Sequence, residues 1–198
     1  MKKLALAVSL LILFFTLTYA SDGNRALDRY LPENLGSDFQ VVQVDHVSDF
    51  VRSLQTEEGE RSVHVLQGSR VLITYKTSEG FVNMKVEQLG QTYLNDKQVL
   101  INSMLWAERN TAGMDSTEVH RFSFNGFDTR AINRAQLEGG VLSIYALFDD
   151  AHRIVITLYF LNDDPSNRKF STVTEYDKIR DEFLNLYTFE VRAKLTEK

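Results

Sequence analysis

Histidine and carboxylate side chains are the first candidates for chemistry in this sequence, because the chain of 198 residues contains no cysteine. Thiol catalysis, thiolate zinc sites and iron–sulfur clusters all need cysteine sulfur, so the sequence excludes them. Three of the four histidines, His46, His64 and His120, are far apart, and no H-x-x-x-H or H-E-x-x-H pair is present. An isolated histidine beside apolar strand residues is more often structural than metal-binding.

The densest group of reactive side chains is the run Asp149, Asp150, His152 and Arg153. This loop could bind a ligand, and it also fits a solvated hairpin tip, so both interpretations stay open. Neighbouring carboxylates at the end of a strand point to opposite sides, which makes Asp149 and Asp150 a poor acid–base couple. We therefore predict no catalytic residue and keep the four side chains as candidate binding residues.

Several common catalytic and ligand-binding motifs are absent from the sequence. The chain has no G-x-S-x-G elbow, no Walker loop and no G-x-G-x-x-G fingerprint. The run Asn162–Asp164 lacks the spaced ligands and the glycine of an EF-hand calcium loop.

Trp106, late in a predicted helix, is a fifth candidate binding residue because aromatic side chains line pockets and partner surfaces, although core packing is the simpler interpretation. We predict no metal and no cofactor.

The first twenty residues have the layout of a secretory signal peptide. Two lysines precede an apolar run from Leu4 to Leu17, and the small residues Thr18 and Ala20 precede a cleavage site before Ser21. The run is shorter than the roughly 20 residues of a membrane span, so we expect no integral span after cleavage. An uncleaved N-terminal anchor is the alternative. The sequence thus predicts a periplasmic or secreted protein.

The charge balance argues against one class of partner. The formal net charge of the whole chain is −5, and loss of the two signal-peptide lysines makes it more negative by two. Proteins that bind nucleic acid through a general basic surface carry the opposite charge, so we expect no nucleic-acid partner.

Hydrophobic patterning divides the exported chain into a polar lead-in, residues 21–38, and one domain, residues 39–198. Alternation predicts a first strand from Phe39 to Val44. A short amphipathic helix from Val47 to Gln55 is predicted next, because apolar residues recur there at helical spacing. Three strands then follow, with predicted turns at Gln67–Gly68 and at Ser78–Gly80. A helix from Asn95 to about Asn110 comes after them.

A second group of strands follows this helix. Asn125–Gly126 is a strong hairpin signal between two of its strands, because a type I′ turn needs positive φ at both central positions. The runs Val141–Phe148 and Arg153–Leu161 are almost continuously apolar, which predicts central strands that are covered on both faces. Thr172 and Glu175 fit a capping box at the start of a closing amphipathic helix. The fold class is therefore α+β, a mostly antiparallel twisted sheet of about six to eight strands in two meanders, with helices packed on it.

This arrangement resembles the PsbP-like α/β sandwich, including bacterial envelope proteins of the DcrB type. The resemblance covers about Ser62 to Tyr187. It rests on the helix between the two meanders, the turn Phe124–Phe127, and the run RIVITLYFLNDDPSNRKF before the closing helix. The chain differs from the DcrB type because it lacks a lipoprotein cysteine.

The resemblance implies a non-catalytic accessory role outside the cytoplasm and gives no catalytic residues. Our first hypothesis is an exported, monomeric accessory domain that binds another protein of the bacterial envelope. The alternative is a small-ligand-binding protein whose curved sheet and aromatic residues enclose a pocket. A hydrolase that uses Asp149, Asp150 and His152 is the third and least favoured hypothesis.

Overall fold

The computed structural model describes residues 26–76, 78–110, 120–137, 140–162 and 170–197. Within them, seven strands and two helices follow a short 3-10 turn at Asp28–Tyr30. The strands are β1 Phe39–Thr56, β2 Gly59–Tyr75, β3 Ser78–Leu89, β4 His120–Phe124, β5 Phe127–Leu137, β6 Gly140–Asp149 and β7 Ile154–Asn162, and the helices are α1 Tyr93–Asn110 and α2 Val173–Thr196. The predicted signal peptide and the pair Asp163–Asp164 lie outside the described residues.

All seven strands belong to one antiparallel sheet in the order β1-β2-β3-β7-β6-β5-β4. Strands that are consecutive in the chain are neighbours, except where β3 pairs with β7 from Val82↔Phe160 to Gln88↔Ile154. The α+β class with an antiparallel sheet is therefore confirmed. The predicted central position of the two apolar runs is also found, because β7 is the middle strand and β6 lies beside it.

The two helices cover opposite faces of this sheet. Along β7, Ile154, Ile156, Leu158 and Phe160 belong to the larger core cluster, which also contains six side chains of α2. The intervening Val155 belongs to a second cluster with Tyr93 and Leu100 of α1. Because successive side chains of a strand point to opposite faces, α2 lies on one face and α1 on the other. Both faces of β6 and β7 are thus removed from water, which explains their continuous apolarity.

Aromatic rings fill the core between α2 and the sheet. The ring of Phe160 on β7 lies 5.7 Å, centroid to centroid, from each of the rings of Phe81, Tyr145 and Phe183. The four rings come from three strands and α2, and the interplanar angles of 56–89° give tilted to edge-on contacts of the kind that stabilise aromatic pairs.

The predicted helix Val47–Gln55 is wrong, because these residues form the second half of β1 and pair with β2. A spacing of four is even, so Phe50 and Leu54 fit one face of a strand as well as one face of a helix. Both side chains pack on the α1 cluster, whereas Val47 and Val51 are exposed. The spacing of apolar residues fits both a helix and a strand, and pairing with β2 determines that this segment is a strand.

Two predicted turns are also wrong. Residues Gln67–Gly68 lie inside the continuous strand β2, and Gly80 lies inside β3, so that only Tyr75 to Ser78 connects these strands. Gly68 serves packing instead, since a Cβ there would lie 3.4 Å from the ring of Phe50. The chain reverses at Thr56–Gly59, where the Thr56 hydroxyl donates to the Gly59 carbonyl at 2.8 Å.

Other local signals are confirmed. Asn125 and Gly126 have φ values of 46° and 83°, and Phe124 pairs with Phe127 across this turn. The Thr172 hydroxyl caps α2 by accepting the Glu175 backbone N–H at 3.1 Å. The end of the lead-in is more ordered than its polarity suggested, because Leu27, Tyr30 and Leu35 are buried in the core.

A buried ion pair joins β1 to β3 across β2. Arg52 and Glu87 are 6% and 2% exposed, and the Arg52 Nη1 lies 2.9 Å and 2.8 Å from the two carboxylate oxygens. Gly68 of β2 pairs with Glu87 and leaves room for the contact. A buried charge without its partner is costly, so each group depends on the other.

We expect Arg52→Met to lower the free energy of unfolding by about 3–5 kcal/mol, because it leaves the Glu87 carboxylate buried and unpaired. The double variant Arg52→Met/Glu87→Leu is the control, and it should lose much less because no buried charge remains. Urea denaturation at neutral pH measures both values. A double variant that is no more stable than Arg52→Met would contradict this role.

Candidate functional site

The candidate residues 149–153 lie where β6 turns into β7. The Asp149 Oδ1 accepts the backbone N–H groups of Ala151 and His152 at 3.2 and 3.4 Å, which holds the turn. Arg153 has a left-handed φ of 58°, and its carbonyl accepts the N–H of Leu89 at 3.0 Å. The turn is thereby fixed from within and tied to the end of β3.

Asp149 is the centre of a buried hydrogen-bond network. Its Oδ2 accepts the Tyr30 hydroxyl at 2.8 Å and lies 2.9 Å from the Nδ1 of His152. Burial by itself would raise the pKa of Asp149, but the bonds from His152 and Tyr30 outweigh it and hold the pKa below its usual value. Burial and the bond to Asp149 raise the pKa of Tyr30, so this hydroxyl stays a donor.

Asp150 points to the other side of the sheet and makes a separate network. It accepts the Tyr93 hydroxyl at 2.6 Å and the Lys97 ammonium at 2.8 Å, and both donors belong to α1. Lys97 also lies 2.9 Å from Asp128 and 4.8 Å from the centre of the Phe148 ring. Burial by itself would raise the pKa of Asp150 and of Asp128. The bonds from Lys97 and Tyr93 outweigh it and lower the pKa of Asp150, and bonds from Arg130 and Lys97 lower the pKa of Asp128. Asp149 and Asp150 therefore diverge, as expected for neighbours at a strand end.

The structure does not bring Trp106 to this turn. Tyr93, which contacts Asp150, lies thirteen residues before Trp106 in α1, so the two are about 20 Å apart along the helix. Trp106 is partly buried, and its carbonyl accepts the side-chain amide of Asn110. It is a separate feature of α1.

His46 and His64 do not meet at this site. His46 lies 2.9 Å from the Ser69 hydroxyl, and His64 contacts Asp49 on the exposed β1–β2 hairpin. The side chain of His120 is outside the described part of the chain. Among the residues that the structure describes, no group of three or more histidine or acidic side chains is arranged to hold a metal ion.

A cleft of about 290 Å³ opens beside the Asp149 network, and we call it the Arg29–His152 cleft. It lies between the N-terminal segment, the ends of β3 and β7, and the end of α2. Its lining residues are Ala26, Arg29, Tyr30, Gln88, His152, Ile154 and Leu195. Of these residues, only His152 is among the candidates that the sequence predicts. The others come from distant parts of the chain, and no local signal could have shown that they meet.

The open edge of β1 is a second candidate site. Within the described sheet, β1 has β2 on one side and no strand on the other along its 18 residues. Four of its valines are exposed, with exposed fractions from 37% at Val47 to 61% at Val51, and the others are Val42 and Val44. The opposite edge strand, β4, has five residues in the described part of the chain. A long apolar edge with unpaired backbone groups is a template for another strand.

We expect the free energy of unfolding to fall as the pH drops below about 4. The pKa values of Asp128, Asp149 and Asp150 lie below 3.8 in the folded state. Their contribution is therefore complete above that pH and is lost as the pH falls through the folded-state values. Denaturant titrations from neutral to acidic pH measure this decrease.

Two tyrosine substitutions separate the contribution of Asp149 to stability from the contributions of Asp128 and Asp150. Tyr30→Phe removes a bond to a buried carboxylate and should cost about 1–3 kcal/mol at neutral pH and less at about pH 2. The control is Tyr159→Phe, because the Tyr159 hydroxyl has no hydrogen-bond partner in the described structure. Equal effects of the two substitutions would contradict the proposed network.

Neither helix of the described residues is long and apolar enough to cross a membrane. No model of a known family, no curated protein and no solved structure matches this chain. A function has therefore to be inferred from the residues of the chain itself.

Proposed function

We propose that the chain is an exported, non-catalytic accessory protein of the bacterial envelope that binds an extended segment of another protein along β1. The observation that carries the proposal is the open edge of β1, 18 residues long, with four exposed valines. An extended peptide can add to such an edge through main-chain hydrogen bonds, while its side chains give specificity.

The seven-stranded sheet between two helices supports a PsbP-like sandwich with two meanders as the finer description of the fold.

The charges along β1 favour a partner segment with basic residues. Asp45 and Asp49 lie on this strand, and the side chain of Asp49 is 61% exposed. The strand's arginine, Arg52, is buried against Glu87 and is not available at the surface. Together with a chain charge of −5, this makes the edge apolar and acidic. The partner segment should alternate apolar residues with polar ones and carry lysine or arginine.

A peptide-display selection against the folded protein tests this proposal. Selected peptides should show that alternation, and their binding should slow amide hydrogen exchange in β1. The double substitution Val44→Ser/Val47→Ser should weaken their affinity about tenfold or more, because two apolar contacts are lost. Val173→Ser is the matched control, since Val173 is 46% exposed on α2, and it should leave the affinity unchanged.

Two results would overturn the proposal. One is peptide binding that protects only amides outside β1 or that ignores the double substitution. The other is a concentration-dependent dimer in sedimentation that Val44→Ser/Val47→Ser dissolves, because a second copy would then cover the edge.

The export part of the proposal has its own test. Because a signal peptidase cleaves after small residues at the −3 and −1 positions, the protein recovered from an exporting cell should begin at Ser21. N-terminal sequencing of the purified protein measures this directly, and Ala20→Arg should block the cleavage. Protein that begins at Met1 and stays in the membrane fraction would support an uncleaved anchor instead.

The Arg29–His152 cleft favours a second function, the binding of a small ligand. This function does not involve the edge of β1, and either site can fail without the other.

A further inference from the structure

The polar side chains that line the Arg29–His152 cleft are short of partners. Arg29 is exposed, and its guanidinium makes no hydrogen bond or ion pair with any residue that the structure describes. The side-chain amide of Gln88 likewise has no partner in the described part of the chain. Such groups are satisfied by water in the free protein and are available to a ligand.

His152 adds a third polar group with a fixed direction. Its Nδ1 is held 2.9 Å from Asp149, which leaves Nε2 on the far edge of the ring. The Tyr30 ring meets the imidazole edge-on, with ring centroids 6.4 Å apart and an interplanar angle of 66°, and so supports its orientation. The buried Asp149 carboxylate is already used by Tyr30, His152 and the turn, so its charge does not oppose an anion in the cleft as an unpaired charge would.

The rest of the lining is apolar. Ala26, Ile154 and Leu195 provide aliphatic surface beside the three polar groups. A volume of about 290 Å³ corresponds to about ten water molecules, which is room for a small organic molecule.

From this combination we propose that the cleft binds a small carboxylate with a short aliphatic chain. Arg29 supplies the positive charge and a fork of donors that matches a carboxylate. The Gln88 amide donates a further hydrogen bond, as does the Nε2–H of His152 in its protonated form. The aliphatic chain lies against Ala26, Ile154 and Leu195. The site stands apart from the edge of β1, so it does not depend on the protein-binding function.

Hexanoate is the test ligand, and two control compounds lack either its charge or its aliphatic chain. Titration is followed by two-dimensional NMR of the ¹⁵N-labelled protein, in which the Gln88 side-chain amide reports directly on the cleft. Hexanoate should shift this signal and the backbone signals of Ala26 and Leu195. Hexanamide, which lacks the charge, and inorganic phosphate, which lacks the aliphatic chain, should each bind at least about tenfold more weakly.

Two matched variants assign the charge to Arg29. Arg29→Gln should weaken hexanoate binding about tenfold or more, whereas Arg121→Gln should not change it, because Arg121 is also an exposed arginine but lies on β4, outside the cleft. The proposal is overturned if hexanoate shifts none of the cleft signals, if Arg29→Gln binds it as tightly as the unaltered protein, or if phosphate or hexanamide binds equally well.

Discussion

The pairing of β3 with β7 holds the two parts of the sheet together. Every other strand pairing joins neighbours in the sequence, whereas this one aligns Val82–Gln88 with Ile154–Phe160 across the intervening helix and strands. It places β7 in the middle of the sheet, where α2 packs on one face and α1 on the other. Without it, β1–β3 and β4–β7 would each have one more exposed edge, and the ring of Phe160 would lose its contact with Phe81. Burial of β7 on both faces supplies the hydrophobic free energy that makes this long-range pairing favourable.

The same pairing determines where the candidate sites lie. Because Gln88 and Ile154 are partners at the end of the β3–β7 ladder, the polar end of β3 and the turn after β6 meet at one end of the sheet, between two of its central strands. The N-terminal segment lies against this end of the sheet and is held there, since the Tyr30 hydroxyl donates to Asp149 and the Tyr30 carbonyl accepts the Tyr187 hydroxyl at 2.7 Å. The Arg29–His152 cleft and the outer edge of β1 are thus separate surfaces of one sheet. A protein partner and a small ligand could occupy them at the same time.

The sequence predicted the features that depend on local physics. Asn125–Gly126 has positive φ at both positions, the runs at β6 and β7 are buried on both faces, and Thr172 caps α2. It failed where pairing partners decide the outcome, as at residues 47–55, where an even spacing fits either period. It also identified His152 but not Arg29 or Gln88, because three residues that are far apart in the chain meet only once the sheet has formed.

One continuous sheet is held together at β3–β7 and left open along β1, and amide hydrogen exchange of the free protein measures both features. Amides of β3 and β7 should exchange slowest, near the rate set by global unfolding. Along β1, amides that face β2 should be protected, whereas those that face the open edge should exchange rapidly. Uniform protection of β1, or fast exchange across β3 and β7, would show that the sheet is not organised in this way.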